Sequence, residues 1–337
     1  MNKSSSPMVS ILVPIYGVEK FIERCAISLF EQTFEDIEFV FVNDCTKDFS
    51  VEILKSVLEK YPKRQSQVRI INHDINKGLA AARNTAVSNA TGDYILHVDS
   101  DDYLELNAVE LLYEKAIKEN ADIVVCDFHL IWEKTSQPLL INIGENKIDL
   151  IRSILSAEIM MGIVNKLVRK TMYLDNNIEA EEGVDLGEDY MVIPKLFYYA
   201  NNIAKVNSPL YYYSQTNPNS YTTKKISMKS INSIVFALND LTTFFEGKED
   251  FHTYKEALLQ GKLRKKLDIL FFADKMYVAE GNKLFSEVNS IHNTSFLLTR
   301  DKISLSFLKG GHIGMFLVYR AVYRKMFFLK NKLFNRS

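Results

Sequence analysis

The first 130 residues alternate between two hydrophobic periods. "MVSILVPIY" (residues 8–16) is a continuous, β-branched apolar run of the length a buried strand needs, and Val18, Ile22, Cys25, Ala26 and Leu29 then share one helical face. "IEFVFVND" (37–44) predicts a second strand, after which Asp48 or Ser50 can cap a helix with Val51, Leu54, Val57, Leu58 and Tyr61 inward. "VRIIN" (68–72) is a third strand. The stretch "GLAAARNTAVSNA" (78–90) gathers Leu79, Ala82, Ala86 and Ala90 on a helix, and "DYILHV" (93–98) is a fourth strand running straight into Asp99, Asp101 and Asp102. Asn107 and Glu110 form a capping-box-like pair before a helix with Val109, Leu112, Tyr113, Ala116 and Ile117 inward, and "DIVVCDF" (122–128) is a fifth strand.

Strands buried on both faces and joined by helical crossovers predict an α/β fold with a doubly wound, mostly parallel sheet. Such sheets bind ligands outside the carboxyl ends of their strands. Pro14 to Tyr16, Asn43 to Asp48, Asn72 to Gly78 and Asp99 to Asp102 fall there, and polar and acidic residues concentrate in them. Neither a Gly-rich dinucleotide fingerprint after the first strand nor a P-loop is present, so the two commonest nucleotide sites of such sheets lose support. From about Ile226 onward the period is helical.

Three aspartates within four positions need a reason. A helix cap gains about 1 kcal/mol. Two ionised carboxylates about 4 Å apart repel by roughly 1 kcal/mol in water and about 4 at an effective dielectric near 20, so two such pairs outweigh the cap unless a cation neutralises them. A hard divalent ion with oxygen ligands, Mn²⁺ or Mg²⁺, accounts for the cluster better than capping does, because such ions share their coordination between one or two carboxylates and a ligand's phosphates.

"SILVPIY", "FVFVNDCTKD", "NKGLAAARN", "HVDSDDY" and "GEDY", in this order, resemble the family 2 glycosyltransferases of GT-A fold, over roughly residues 8 to 220. The resemblance implies a catalytic domain over 1–222, with a nucleotide-sugar half at about 8–128 and an acceptor half at about 129–222, followed by a helical extension at 223–301 and a tail at 302–337. It implies a nucleotide-sugar donor, UDP-linked, and a saccharide or lipid-linked saccharide acceptor. Pro14 and Tyr16 in the loop after the first strand, with Asp44 on the uracil, would hold the nucleoside. Lys77, Gly78, Arg83 and Asn84 would shape the donor pocket, Asp99, Ser100 and Asp101 would bind the donor nucleotide, and Asp101 or Asp102 would take the metal. Asp189 in "DLGEDYMVIPKLFYY" would be the general base, with Glu188 second; Gly187 frees the turn, and Pro194 places both carboxylates at a helix entrance. "GIVNKLVRK" resembles the segment before the acceptor region, with Val164 where an aromatic is usual, and Asn165 and Lys166 would face the acceptor sugar; a solvated basic turn is the plainer alternative. Ser214 and Gln215 stand where relatives carry Arg or His, which leaves the metal without a third protein ligand. Two rival functions stay open at this point, a polyisoprenyl-phosphate sugar synthase and a noncatalytic scaffold subunit.

Composition narrows the setting. With 47% hydrophobic and 25% charged residues, the 337-residue chain is an ordinary globular sequence. Cys25, Cys45 and Cys126, odd in number and widely spaced, fit neither a disulfide framework nor a zinc site. No secretory signal and no run of about 20 apolar residues is visible, which predicts a cytoplasmic protein. Residues 302–337 hold eight Lys/Arg and no Asp/Glu, leaving 33 Lys/Arg against 42 Asp/Glu in the rest. That acidic body argues against nucleic acid as a partner. On a helical wheel Met315, Phe316, Tyr319, Val322, Tyr323, Met326, Phe327, Leu333 and Phe334 share one side of the tail, with Arg320, Arg324, Lys325, Lys332 and Arg336 on the other. Such a helix suits either the inner face of a membrane or the acidic body of the protein itself.

Overall fold

A computed structural model describes residues 7–159, 162–184, 186–218, 220 and 226–334, the last eight of these without their side chains. The chain divides into two compact units, residues 1–151 with 159–223, and residues 152–158 with 224–337.

The first unit follows the predicted alternation: β1 (Val9–Ile15), α1 (Ile22–Phe30), β2 (Ile37–Asn43), α2 (Ser50–Glu59), β3 (Val68–Asn72), α3 (Leu79–Asn89) and β4 (Tyr94–His97). It continues with β5 (Tyr103–Leu104), α4 (Ala108–Glu119), β6 (Ile123–Ile131), β7 (Ser136–Leu139), α5 (Lys147–Leu155), β8 (Lys166–Arg169), α6 (Thr171–Leu174), α7 (Glu188–Tyr199) and β9 (Ile203–Ser214). Strand order is β3-β2-β1-β4-β8-β6-β9-β5, with β7 on β6. The first four strands are parallel, and β1 is buried at every position, which is why it reads as an unbroken apolar run. β8 departs from a simple parallel succession, because it lies between β4 and β6 and runs antiparallel to both. That insertion carries the 162–166 loop to the carboxyl end of β4.

Three local expectations change. Asn107 stands at the N-cap of α4 without a side-chain cap bond. Instead Gln32 Oε1 accepts from the Val109 amide at 3.1 Å, and Glu110 accepts from Thr33 Oγ1 at 2.7 Å. The orphan amide of the helix is satisfied from α1's end, not by a capping box. Ile117 is 56% exposed and outside the core. Pro194 is the seventh residue of α7, inside the helix and not at its entrance.

The second unit is helical: α8 (Met228–Glu246), α9 (Phe251–Phe272), α10 (Val278–Lys283), α11 (Thr299–Lys309) and α12 (Ile313–Phe334). The described residues beyond 301 form the rest of α11 and α12. Phe316 on α12 is fully buried in a cluster with Leu270, Phe271 and Val278, and Tyr319 packs against it. Arg320, placed on the solvent side by the wheel, is 6% exposed and donates Nη1 to the Leu270 carbonyl at 2.7 Å. The exposed face is a different one: Met315, Val318, Val322 and Met326 are 49–67% exposed, next to exposed Arg324 and Lys325. Lys332, Leu333, Phe334, Arg336 and the Phe327 side chain lie outside the described side chains. No helix among the described residues is long and apolar enough to cross a membrane.

Candidate active site

The end of β4 delivers the aspartates to the sheet edge, and the fold then separates them. Asp102 is fully buried; its Oδ2 accepts from Tyr211 Oη at 2.8 Å and its Oδ1 from the Ser214 amide at 2.7 Å. Tyr211 Oη in turn accepts from the Asp99 amide at 3.1 Å. Both oxygens of Asp102 are therefore engaged by β9, so of the two candidate metal ligands Asp101 is the more open. Asp101 accepts from Asn217 Nδ2 at 2.8 Å, and its carboxyl is held above the usual carboxylate range by burial and by the charge of Asp99. Ser100 is buried between them.

Arg83, 4% exposed on α3, is the hub of the site. Its Nη2 donates to Asp99 Oδ1 at 2.7 Å, and its Nη1 donates to Glu188 Oε1 at 2.7 Å and to Asp189 Oδ1 at 2.9 Å. Burial alone would lower its pKa, but Asp99, Asp189 and Glu188 more than offset this and keep the guanidinium charged. Gly187, at φ +101°, turns the chain into α7 so that both carboxylates stand at the helix N-terminus, where the dipole favours them. Asp189 is the more open of the two, with 34% of its side chain exposed against 10% for Glu188. Burial, reinforced by the neighbouring Asp189 charge, pushes the Glu188 carboxyl up to about 8; burial also raises Asp189, against the pull of Arg83. Near neutral pH Glu188 thus holds a proton.

That proton has a consequence for stability. Glu188 titrates at about 8 when folded and has an ordinary value of 4.5, so the folded state binds a proton that the unfolded chain has already lost near neutrality. Its contribution to stability is present below pH 4.5 and disappears as pH rises through 8. Glu188→Gln, which mimics the protonated side chain, is expected to melt above the wild type at pH 9 and to converge with it near pH 5. A constant difference across that range in thermal melts would contradict the assignment.

The 162–166 loop supports Asp189 from below. Gly162 lies so close that a side chain there would meet Asp189 Oδ2 at 3.3 Å. Asn165, at φ +58°, and Lys166 are buried, not facing an acceptor and not a solvated turn. Lys166 Nζ donates to Gly162 O at 2.5 Å, Asn165 Oδ1 at 2.6 Å and Val164 O at 3.2 Å, while Asn165 Nδ2 donates to the Cys126 carbonyl. Burial lowers Lys166 to about 7, and the field of Asp189 opposes that. The two residues fix the loop on which Asp189 rests.

On the other side of Arg83, Asp44 also differs from expectation. It is 3% exposed; Oδ1 accepts from His73 Nδ1 and the Lys77 amide, both at 2.8 Å, and Oδ2 accepts from the Gly78 amide at 2.8 Å. It anchors the start of α3 instead of offering an open carboxylate to a base. Gly78, at φ +91°, makes that turn. Lys77 and Tyr16 are exposed at the same sheet edge, Tyr16 to 52%, above buried Pro14. Asn84 faces away from the edge and exchanges hydrogen bonds with both backbone groups of Ala180. Sequence reading missed Asn217 and the bridging role of the Tyr211 hydroxyl; "NPNS" after three tyrosines was the available signal.

Residues 10–148 match the model of glycosyl transferase family 2. The chain carries a family 2 glycosyltransferase domain. It is 34% identical over 223 residues to the glycosyltransferase EpsJ of Bacillus subtilis, an alignment covering 64% of this chain and 63% of that one. Over 113 residues, 34% of this chain and 11% of the relative, it is 41% identical to the hyaluronan synthase of Pasteurella multocida. The chain thus spans less than two thirds of these relatives. In three dimensions it resembles S. aureus TarS 1–349, crystallised with UDP-GlcNAc, with a TM-score of 0.70 at 18% identity over 94% of this chain and 91% of that one. The family 2 domain has the GT-A architecture, an α/β sheet followed by a helical region, and its relatives include enzymes of polysaccharide synthesis.

Proposed function

We propose that this protein is an inverting glycosyltransferase, moving a sugar from a UDP-linked donor to a hydroxyl of a saccharide acceptor, lipid-linked, in bacterial surface polysaccharide synthesis. Asp189 carries this reading: a partly exposed carboxylate, hung from Arg83 beside Asp99 at the ligand edge of a family 2 sheet. UDP-GlcNAc bound to TarS supports the donor class. In a single displacement, Asp189 takes the acceptor's hydroxyl proton, the acceptor oxygen bonds to the sugar carbon, and the bond to the leaving diphosphate breaks on the opposite face. Arg83 holds the base in place and adds positive charge under the donor. UDP release from a panel of UDP-sugars with Mn²⁺ and oligosaccharide acceptors tests this; no release from any donor would defeat it.

Among the described residues, no group of three or more His, Cys, Asp or Glu converges on a metal position. A hard cation still fits, because Asp101 is a partly buried carboxylate in the field of Asp99 and such ions complete their shell with diphosphate and water. Mn²⁺ or Mg²⁺ held by Asp101 would neutralise the leaving diphosphate. Asp101→Asn is expected to weaken Mn²⁺-dependent UDP binding at least tenfold in a thermal-shift titration, whereas Asp102→Asn should lower the melting temperature without ligand. Equal effects of the two on ligand-free melting would remove the distinction.

The exposed apolar stripe of α12, with Arg324 and Lys325 beside it and no acidic residue from 302 onward, supports peripheral attachment to an anionic membrane surface, the inner face in a cytoplasmic enzyme. Replacing Val318, Val322 and Met326 by Ser leaves the buried Phe316 side untouched. The triple variant is expected to lose most of its binding to phosphatidylglycerol vesicles in sedimentation; undiminished binding would rule the stripe out.

A further inference from the structure

A cavity of about 190 Å³ in the first unit is lined by Arg83 and by Glu188, the neighbour of Asp189. Its outer lining includes the exposed Ser88, Asn177 and Glu179, and its inner lining the buried Arg83, His97, Tyr173 and Glu188. Arg83 Nε, both ring nitrogens of His97 and the Tyr173 hydroxyl are buried without a hydrogen-bond partner among the described residues. The His97 and Tyr173 rings pack at 6.1 Å between centroids, so these polar atoms are gathered in one place. Orphaned buried polar groups are rare, and a cluster of them around a cavity open to the surface marks a place where solvent completes the hydrogen bonding. That volume is ample for several water molecules.

We propose that this cavity is a hydrated back door to the base: ordered water, held by Arg83 Nε, His97 and Tyr173, connects Glu188 to the surface and lets the carboxylate pair exchange its proton with solvent while substrates cover Asp189. The proposal rests on Asp189 being the base. The proton taken from the acceptor hydroxyl goes to Asp189. Arg83 Nη1 touches one oxygen of each carboxylate, which keeps the two within one donor's reach. Glu188, which already holds a proton, gives that proton to cavity water, which passes it to a base in bulk solvent, and takes the one on Asp189 in its place; no bond other than O–H changes. His97, which burial pushes down to about 3, stays neutral and can donate with one nitrogen while accepting with the other. Glu188 meets Asp189 on its own helix, Arg83 from α3, and Asp99 and His97 from the end of β4. Tyr173 of α6 shares the cavity, and Lys166 acts through its field on Asp189. Tyr173 and His97 are thus positioning residues, not catalytic ones.

Tyr173→Phe in the full chain tests this by removing one hydroxyl. If the hydroxyl is bonded to cavity water, the variant melts at the wild-type temperature or a few degrees below it, and the acid limb of its kcat–pH profile moves by half a unit or more with the donor KM within twofold. If the cavity is dry, deleting an unsatisfied hydroxyl raises the melting temperature, and that result overturns the proposal. A superimposable pH profile overturns it as well. A wild-type chain that turns over no donor defeats the transferase reading itself, and with it the proton route; the melting comparison still decides whether the cavity is wet.

Discussion

Asp189→Asn is expected to lower sugar transfer by a factor of about a thousand while leaving Mn²⁺-dependent UDP binding within twofold of the wild type. General-base contributions run at roughly 10² to 10⁴. The upper half of that range applies because Glu188, the adjacent carboxyl on the same helix, is 10% exposed and protonated near neutrality. Asn keeps the shape and still offers Arg83 an oxygen, so the hub geometry survives and the UDP end, at Asp99 to Asp101, is untouched. A partial substitute exists: removing the Asp189 charge takes away one of the causes that raise Glu188, whose carboxyl then falls toward the ordinary range. The residual rate of the variant should therefore be lost in Glu188→Gln/Asp189→Asn. For the wild type, the base must be ionised and its carboxyl is raised, so kcat rises with pH through a value above the usual aspartate range. A rate that falls between pH 5 and 7, or an Asp189→Asn enzyme with a tenth of the original activity, would remove Asp189 from the role.

Much of this site was legible along the chain, for a physical reason. Strands buried on both faces leave continuous apolar runs, and β1, β2 and β4 could be read directly, together with the polar loops at their carboxyl ends. Gly187 before Glu188 and Asp189 signalled a turn into a helix, and the helix begins there. What could not be read was the partner of each carboxylate. Asp102 looked as able as Asp101 to take the metal, and nothing along the chain told that Tyr211 and Ser214, more than 100 positions away, engage both its oxygens. Asp44 resembled an open base-contacting residue, yet its carboxylate is used to start α3. Asn165 and Lys166 read as facing the acceptor or as a solvated turn, because two polar residues in a short loop carry no mark of burial. Only the insertion of β8 between β4 and β6 puts them inside. Local pattern fixes elements and edges; which polar group is free to meet a ligand depends on contacts that the pattern does not contain.

Replacing Arg83 is expected to disable the site more broadly than any single carboxylate change. Arg83→Lys keeps a charge but gives up the planar fork, and one ammonium cannot satisfy Asp99, Glu188 and Asp189 at their present positions. Transfer should fall at least a hundredfold with modest loss of stability. Arg83→Met removes the charge altogether and leaves three carboxylates converging without a cation. Stripping one partner from a buried ion pair costs about 3–5 kcal/mol; the low end applies, because the Asp99 and Asp189 side chains are 28% and 34% exposed and solvent screens them. The sign with pH is fixed. Without Arg83, which lowers both, the Glu188 and Asp189 carboxyls titrate still further above their values in the unfolded chain, so the variant keeps its stability at low pH and loses it as pH rises. The gap in melting temperature between wild type and Arg83→Met should therefore widen from pH 5 to pH 8. A gap that narrows over that range would mean that Arg83 does not oppose the burial of Glu188 and Asp189, and the hub would have to be reassigned.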